Sequence, residues 1–148
     1  MPEKSTVERA KKDLRQGKSP TTAAGEFVRE EIEHVRGGKH GARSPQQAIA
    51  IGLSKARRAG IPLPPPAPGK AKQKTRESAE RAYRKGEAHA KKPACRYSRI
   101  REQVLKREPK STASRRELSR QTRKASARRT PADRAQRARQ AARTRRAA

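Results

Sequence analysis

Residues 44–60 read SPQQAIAIGLSKARRAG, a stretch in which both ends of a helix are marked. Ser44 is a suitable N-cap, and Pro45 takes the first helical position, where a missing N–H group costs nothing. Gln47 stands where a capping box places its glutamine. At the other end, Gly60 can adopt the left-handed conformation that commonly follows a helix. The sequence therefore predicts a helix that begins at Pro45 and stops before Gly60.

The apolar residues inside this stretch favour a helix over a strand. Ile49, Leu53 and Ala56 fall on one helical face, at spacings of four and three residues. A strand is the competing interpretation, because Ile49, Ile51 and Leu53 alternate with small residues. Alanine prefers helix, and the two end signals agree with it, so we predict a helix here.

Two more helices are predicted upstream. Ser5 and Glu8 match a capping box, and Gly17 is a suitable end for the helix that follows them. Ser19 and Pro20 then repeat the combination of an N-cap serine with a proline at the first helical position. The second of these helices carries an apolar stripe made of Ala24, Phe27, Val28, Ile32 and Val35.

Charge is distributed unevenly along the 148 residues. The chain has 41 lysines and arginines against 14 acids, a net charge of +27. Residues 1–60 contain thirteen basic and seven acidic residues, a net of +6, whereas residues 61–148 contain twenty-eight and seven, a net of +21. Hydrophobic residues make up 30% of the chain and aromatic residues 2%, which is too little for the second part to bury a core of its own.

These patterns divide the chain into three segments and predict a mainly α fold. Residues 1–60 form a small helical module, here called the head. Residues 61–69, the linker, contain five prolines and are typical of an extended polyproline II spacer. Residues 70–148, the tail, are rich in Ala, Arg and Lys. These are good helix formers, but their like charges repel, so we expect a tail that is helix-prone yet largely disordered in the free chain.

The sequence offers little that could support catalysis or metal binding. Cys95 is the only cysteine, so no intrachain disulfide can form. His34, His40 and His89 lack the spacing of a zinc site, since a double-glycine turn separates the nearest pair. We therefore expect no enzyme activity, catalytic residue, metal ligand or cofactor. No run is apolar enough to cross a membrane, and a cytoplasmic location follows as the expectation.

Nucleic acid is the partner that the charge predicts. A solvated surface does not explain a net charge of +21 over 88 residues, whereas binding to the phosphate backbone of a nucleic acid does. Stacking on single strands needs aromatic side chains, which are scarce here, so duplex DNA read through its backbone is favoured. The predicted nucleic-acid-binding residues are Lys39, Arg43, Lys55, Arg57 and Arg58 in the head, and Arg115, Arg116, Arg120, Arg123, Lys124, Arg128, Arg129, Arg134, Arg137, Arg139, Arg143, Arg145 and Arg146 in the tail.

The loop that carries the first two of these residues has two interpretations. Lys39, His40 and Arg43 cluster just ahead of the helix at Pro45, and helix N-termini favour anions such as phosphate. A solvated polar turn is the alternative.

The same helix resembles a recurring element of an uncharacterised family of short basic bacterial proteins. In that family a basic, glycine-containing turn precedes a QAIAIALSEAR-like helix. Residues 47–56 match this pattern, with Lys55 in place of the usual acid and Gly52 in place of a usual alanine, within a resemblance that spans residues 26–60. It implies a bacterial source and a small helical module, with no established activity. The composition of the tail is similar to that of linker-histone-like bacterial proteins.

The function that we predict is non-sequence-specific DNA binding by a nucleoid-associated, histone-like protein. In this interpretation the head dimerises or recruits a partner, so that several tails act together. One alternative is an RNA- or ribosome-associated basic protein. Another is a protein-interaction adaptor whose basic tail only improves solubility.

Overall fold

The computed structural model describes residues 2–88 and 95–146, and these residues fold into seven α-helices and one 3-10 turn. The helices are α1 (Lys4–Arg15), α2 (Pro20–Arg36), α3 (Pro45–Arg58), α4 (Gln73–Glu87), α5 (Cys95–Arg107), α6 (Arg115–Ala127) and α7 (Pro131–Arg146), with the 3-10 turn at Ser111–Ala113. The described part contains no strand, which confirms the mainly α prediction and the helix over residues 44–60. Within it, every helix is too short or too polar to cross a bilayer.

The predicted start of α2 and both predicted ends of α3 are confirmed. The hydroxyl of Ser44 accepts a hydrogen bond from the backbone N–H of Gln47 at 3.2 Å, and Pro45 opens α3. Ser19 caps α2 in the same way, by accepting from the N–H of Thr22 at 3.3 Å. Gly60, with φ of 83°, follows the last turn of α3 in the left-handed conformation.

The predicted start of α1 is wrong. The helix begins at Lys4 with Glu3 in the N-cap position, so Ser5 lies inside the first turn and caps nothing. Long-range contacts fix this start, because the N–H of Glu3 donates to Glu30 Oε2 and its carboxylate lies 3.1 Å from Lys39 Nζ. Hydrogen bonds from Lys39 and His34 lower the pKa of that Glu3 carboxyl below its ordinary value.

The core of the head is built mainly from small side chains. Helix α2 packs against both α1 and α3. Phe27 is the largest residue in the main cluster, which consists of Ala10, Ala23, Ala24, Phe27, Ala56, Ile61 and Leu63. A second cluster of Val35, Ala42, Ala48 and Ala113 joins the head to the tail. Small residues allow the helices to approach closely. A packed core can therefore form although the head has few large apolar side chains.

The linker does not behave as a free spacer over its first residues. Ile61 is 2% exposed and Leu63 is 7% exposed, and both belong to the main core cluster. The Arg57 guanidinium donates to the carbonyl oxygen of Leu63 at 3.0 Å. Burial lowers the pKa of the Arg57 guanidinium from its ordinary value. The first part of the linker is therefore part of the packed head.

Parts of the tail pack on the head. Helix α4 lies against α3, and α6 and the 3-10 turn also contact α3. The backbone N–H groups of Gly41 and Ala42 donate to the carbonyl oxygens of Leu105 at 2.8 Å and Pro109 at 3.1 Å. Helices in the tail agree with its predicted helix-prone character. The three-segment division of the chain, and disorder of the tail in the free protein, stay predictions.

The corrected cap assignment predicts different effects for two serines. We expect Ser44→Ala to destabilise the head by about 1 kcal/mol, because the N–H of Gln47 loses its acceptor. Ser5→Ala is the matched control and should be neutral or slightly stabilising, because Ser5 is exposed within α1 and alanine is the better helix former. Urea unfolding followed by circular dichroism measures both. A larger loss from Ser5→Ala than from Ser44→Ala would contradict the assignment.

Candidate nucleic-acid interface

Helices α6 and α7 form a continuous basic segment over residues 115–146, here called the arm. Ser114 caps α6 by accepting from the N–H of Glu117 at 3.4 Å. Thr130 caps α7 by accepting from the N–H of Asp133 at 3.1 Å, as the Thr130-Pro131 pair predicts. These local caps set where each helix begins and therefore which basic residues lie on each helix.

All thirteen of the predicted tail residues lie in the arm and are exposed. Five of them are on α6, Arg128 and Arg129 lie between the helices, and six are on α7. The predicted residues of the tail are therefore brought together on one surface-exposed segment of the chain.

The arm has too few acids to neutralise its cations. It contains only two, Glu117 and Asp133, against thirteen lysines and arginines. Glu117 lies 3.2 Å from Arg120, and Asp133 lies 3.9 Å from Lys70, a residue outside the arm. A hydrogen bond from Thr130 and the charge of Lys70 lower the pKa of the Asp133 carboxyl. Most of the positive charge of the arm thus remains available to an external anion.

The arginines of α7 lie on two opposite sides of the helix. At about 100° per residue, Arg134 and Arg137 share one side of the axis, and Arg139 and Arg143 share the opposite side. Alanines separate them, so α7 has no large apolar stripe with which to pack on the head. A helix that is polar on all sides is typical of an exposed segment or of one that a charged partner stabilises.

Two of the predicted head residues, Lys55 and Arg57, are largely covered and have partners within the head. Lys55 Nζ is 2.6 Å from Glu31 Oε2 and 3.5 Å from Glu30 Oε1. Arg57 is 7% exposed, and its guanidinium is bound to the carbonyl oxygen of Leu63. Because both charges are engaged within the fold, we leave these two residues out of the proposed interface.

Lys39 and Arg43 are exposed, but each lies beside an acid. Lys39 Nζ is 3.1 Å from Glu3 Oε1, and Arg43 Nε is 3.6 Å from Glu108 Oε1. The N–H groups just ahead of α3 are also engaged, since those of Gly41 and Ala42 donate to the tail. A phosphate at the N-terminus of α3 would have to displace these contacts. The same contacts show that the loop is not simply a solvated polar turn.

Arg58 lies within electrostatic range of Arg101, a cation that the sequence does not single out. Its guanidinium donates to the carbonyl oxygen of Ser54 at 3.2 Å and to the Ser54 hydroxyl at 3.0 Å. Partial desolvation and the nearby charge of Arg101 lower the pKa of Arg58. Arg101 is exposed on α5, and nothing in the local sequence separates it from the other arginines. Arg58 and Arg101 both add to the positive potential of this region, which favours an anion.

A family model matches the head and part of the linker, but not the arm. Residues 4–66 are similar to a family of unknown function (DUF6496). The match is consistent with an uncharacterised family, and it extends through the linker to residue 66, beyond the buried Ile61 and Leu63. Neither a curated protein nor a solved structure matches the chain.

Proposed function

We propose that this chain is a non-sequence-specific DNA-binding protein that acts as a histone-like component of the bacterial nucleoid. The observation that carries the proposal is the arm, with thirteen exposed cations and two acids that already have partners. Bringing such a segment to a polyphosphate releases condensed counterions, which drives binding without reading bases. No catalytic residue or cofactor enters the proposal.

The shape of α7 favours duplex DNA over RNA. Its sixteen residues span about 24 Å at ~1.5 Å per residue, with arginines on two opposite sides. The major groove of B-DNA, about 12 Å wide, admits a helix and is bordered by phosphates on both sides. The major groove of A-form RNA is too deep and narrow for this arrangement. Binding would also relieve the repulsion between neighbouring arginines along α7.

The head has a supporting role in this proposal. Helix α6 contacts α3 and the 3-10 turn, so the base of the arm is held against the head. Self-association of the head would bring several arms to one duplex and raise the avidity without any new contact to DNA. A cytoplasmic, nucleoid-associated location follows from the proposal.

A competition experiment with the full chain tests the choice of nucleic acid. Two labelled duplexes of equal length and unrelated sequence, and a folded RNA with the same number of phosphates, are titrated at the same salt concentration. We expect the two duplexes to bind with equal affinity, because phosphates rather than bases are contacted. We expect the RNA to bind more weakly, because α7 does not fit its major groove.

The other outcomes point to the alternative functions. A preference for the folded RNA would contradict the DNA proposal and favour an RNA- or ribosome-associated protein. A large difference between the duplexes would contradict backbone recognition. Weak binding to all three at physiological salt would favour the adaptor, in which the tail only improves solubility.

A further inference from the structure

Three potential metal ligands meet at the end of the head nearest the tail. Glu31 and His34 are three residues apart and so lie one turn apart on α2, and His40 lies in the loop between α2 and α3. Each offers one ligand atom, and these three atoms all lie within 4.8 Å of one another. Glu31, His34 and His40 are here called the acid–histidine cluster.

Glu31 is the buried centre of this cluster. It is fully buried, and neither of its carboxylate oxygens has a hydrogen-bond partner among the described residues. Lys55 Nζ lies 2.6 Å from Oε2, close enough for an ion pair although the geometry is not that of a hydrogen bond. Oε1 instead faces Nε2 of His40 at 3.3 Å. A buried carboxylate is costly unless its oxygens have partners, and on the Oε1 side a proton on His40 or a metal ion would supply one.

The hydrogen bond of the second ring nitrogen of His40 bears on the choice between a proton and a metal ion. Nδ1 lies 3.0 Å from the backbone carbonyl oxygen of Gly41, which can only accept, so Nδ1 carries a proton. In the neutral ring, Nε2 then directs its lone pair towards the Glu31 carboxylate. An imidazole that donates one N–H to a backbone carbonyl and presents the other nitrogen as a lone pair is arranged as metal-bound histidines usually are.

The surrounding charges leave room for a divalent cation. Three carboxylates face this region, those of Glu3, Glu30 and Glu31, together with the ammonium groups of Lys39 and Lys55. With both histidines neutral, the net charge of this group is negative. A single proton on a histidine would neutralise this charge. A divalent metal ion would also neutralise it and would leave a slight excess of positive charge on the group.

We propose that the acid–histidine cluster binds Zn²⁺. Nitrogen ligands favour zinc over magnesium or calcium, which prefer oxygen. Tetrahedral zinc with ligands at about 2.0–2.1 Å separates neighbouring ligand atoms by about 3.3–3.4 Å. The Glu31 Oε1 and His40 Nε2 atoms are already 3.3 Å apart. Glu31 would bind through Oε1 and keep Oε2 for Lys55, a ring nitrogen of His34 completes the protein ligands, and water takes the fourth position.

The expectation of no metal ligand rested on sequence spacing alone. His34 and His40 are separated by Gly37 and Gly38, and the turn at these glycines carries the loop back towards α2. The local signal that was available is Glu31-x-x-His34, because residues three apart on a helix point the same way. The cluster also lies beside Gly41, whose N–H donates to the tail, so zinc would stabilise the loop on which the tail packs.

Zinc binding is measured with the full chain carrying Cys95→Ser, which removes a thiol that binds zinc strongly. The protein is titrated against a chromophoric chelator of micromolar zinc affinity. We expect a single equivalent of zinc to be taken from the chelator, and His40→Ala to weaken this by about 100-fold or more. His89→Ala, which removes the third histidine of the chain, is the matched control and should leave the affinity unchanged.

A second measurement needs no substitution in the cluster, and so does not depend on a variant that folds. Imidazole ¹⁵N resonances of the Cys95→Ser protein are recorded with and without zinc. We expect ring nitrogens of His34 and His40 to shift and those of His89 to remain in place. Failure to take zinc from the chelator, equal losses from His40→Ala and His89→Ala, or resonances that respond to pH but not to zinc would overturn the proposal in favour of a proton.

Discussion

Gly52→Ala is expected to destabilise the head by about 2–3 kcal/mol, because α2 and α3 meet at this glycine. A Cβ atom built at Gly52 would lie 2.7 Å from Val28 Cα, 2.9 Å from Val28 N and 3.0 Å from the Phe27 carbonyl oxygen. All three are backbone atoms, so no side-chain rotation can relieve the overlap. The helices would have to separate, which loosens the packing around the buried Phe27. Urea unfolding of the full chain, followed by circular dichroism, measures this change.

Gly25→Ala provides the matched control for this prediction. Gly25 also lies within a helix, α2, but a Cβ atom built there meets nothing within 4 Å. Alanine is the better helix former, so we expect the control to increase stability by about 0.5–1 kcal/mol. The two substitutions are chemically identical and should act in opposite directions. If Gly52→Ala were as harmless as Gly25→Ala, the close crossing of α2 and α3 would be wrong.

Replacing the six arginines of α7 by glutamine is expected to remove most of the affinity for DNA. The set is Arg134, Arg137, Arg139, Arg143, Arg145 and Arg146. Six phosphate contacts contribute about five orders of magnitude to binding at ~0.1 M salt through counterion release. We therefore expect a loss of about 10³-fold or more in a titration with a labelled duplex. Glutamine is nearly as good a helix former as arginine, so the loss reports charge rather than helix propensity.

Replacing the same six arginines by lysine is the control for charge. Lysine keeps the positive charge but lacks the fork of donors that arginine offers to phosphate. We expect this variant to retain most of the affinity of the parent chain. An equally large loss from lysine and glutamine would indicate that specific guanidinium contacts, rather than backbone electrostatics, hold the DNA.

The sequence predicted those features of the fold that depend on local chemistry. Ser19 and Ser44 cap their helices, and Gly60 ends α3, because caps and left-handed turns involve only residues within a few positions of each other. The exposure of the arm was predictable for a related reason. A segment with thirteen cations and no large apolar stripe has nothing to bury.

The features that the sequence did not predict depend on contacts between distant residues. The start of α1 is set by Glu30 and Lys39, which are far from Glu3 in the sequence. The sequence predicts Lys55 as a cation available to DNA at a basic helix end, yet an ion pair with the buried Glu31 engages it within the head. The acid–histidine cluster depends in the same way on the path of a loop, which spacing along the chain does not reveal.

Contacts between the head and the tail were also missed, because backbone groups and small residues make them. A Cβ atom at Gly86 would overlap the backbone of Arg57, and one at Gly41 would overlap the backbone of Glu108. Such close approaches leave no apolar pattern in the sequence. The sequence predicts no role for either glycine, whereas in the fold each allows two segments of backbone to touch.

The salt dependence of DNA binding tests most directly whether the arm binds the phosphate backbone. The affinity of the full chain for a duplex is measured over a series of salt concentrations, alongside the variant with six glutamines in α7. If ~10 cations contact phosphates, the slope of log affinity against log salt is about −9 for the parent chain and about −4 for the variant. A shallow slope for the parent chain, or the same slope for both proteins, would contradict the account.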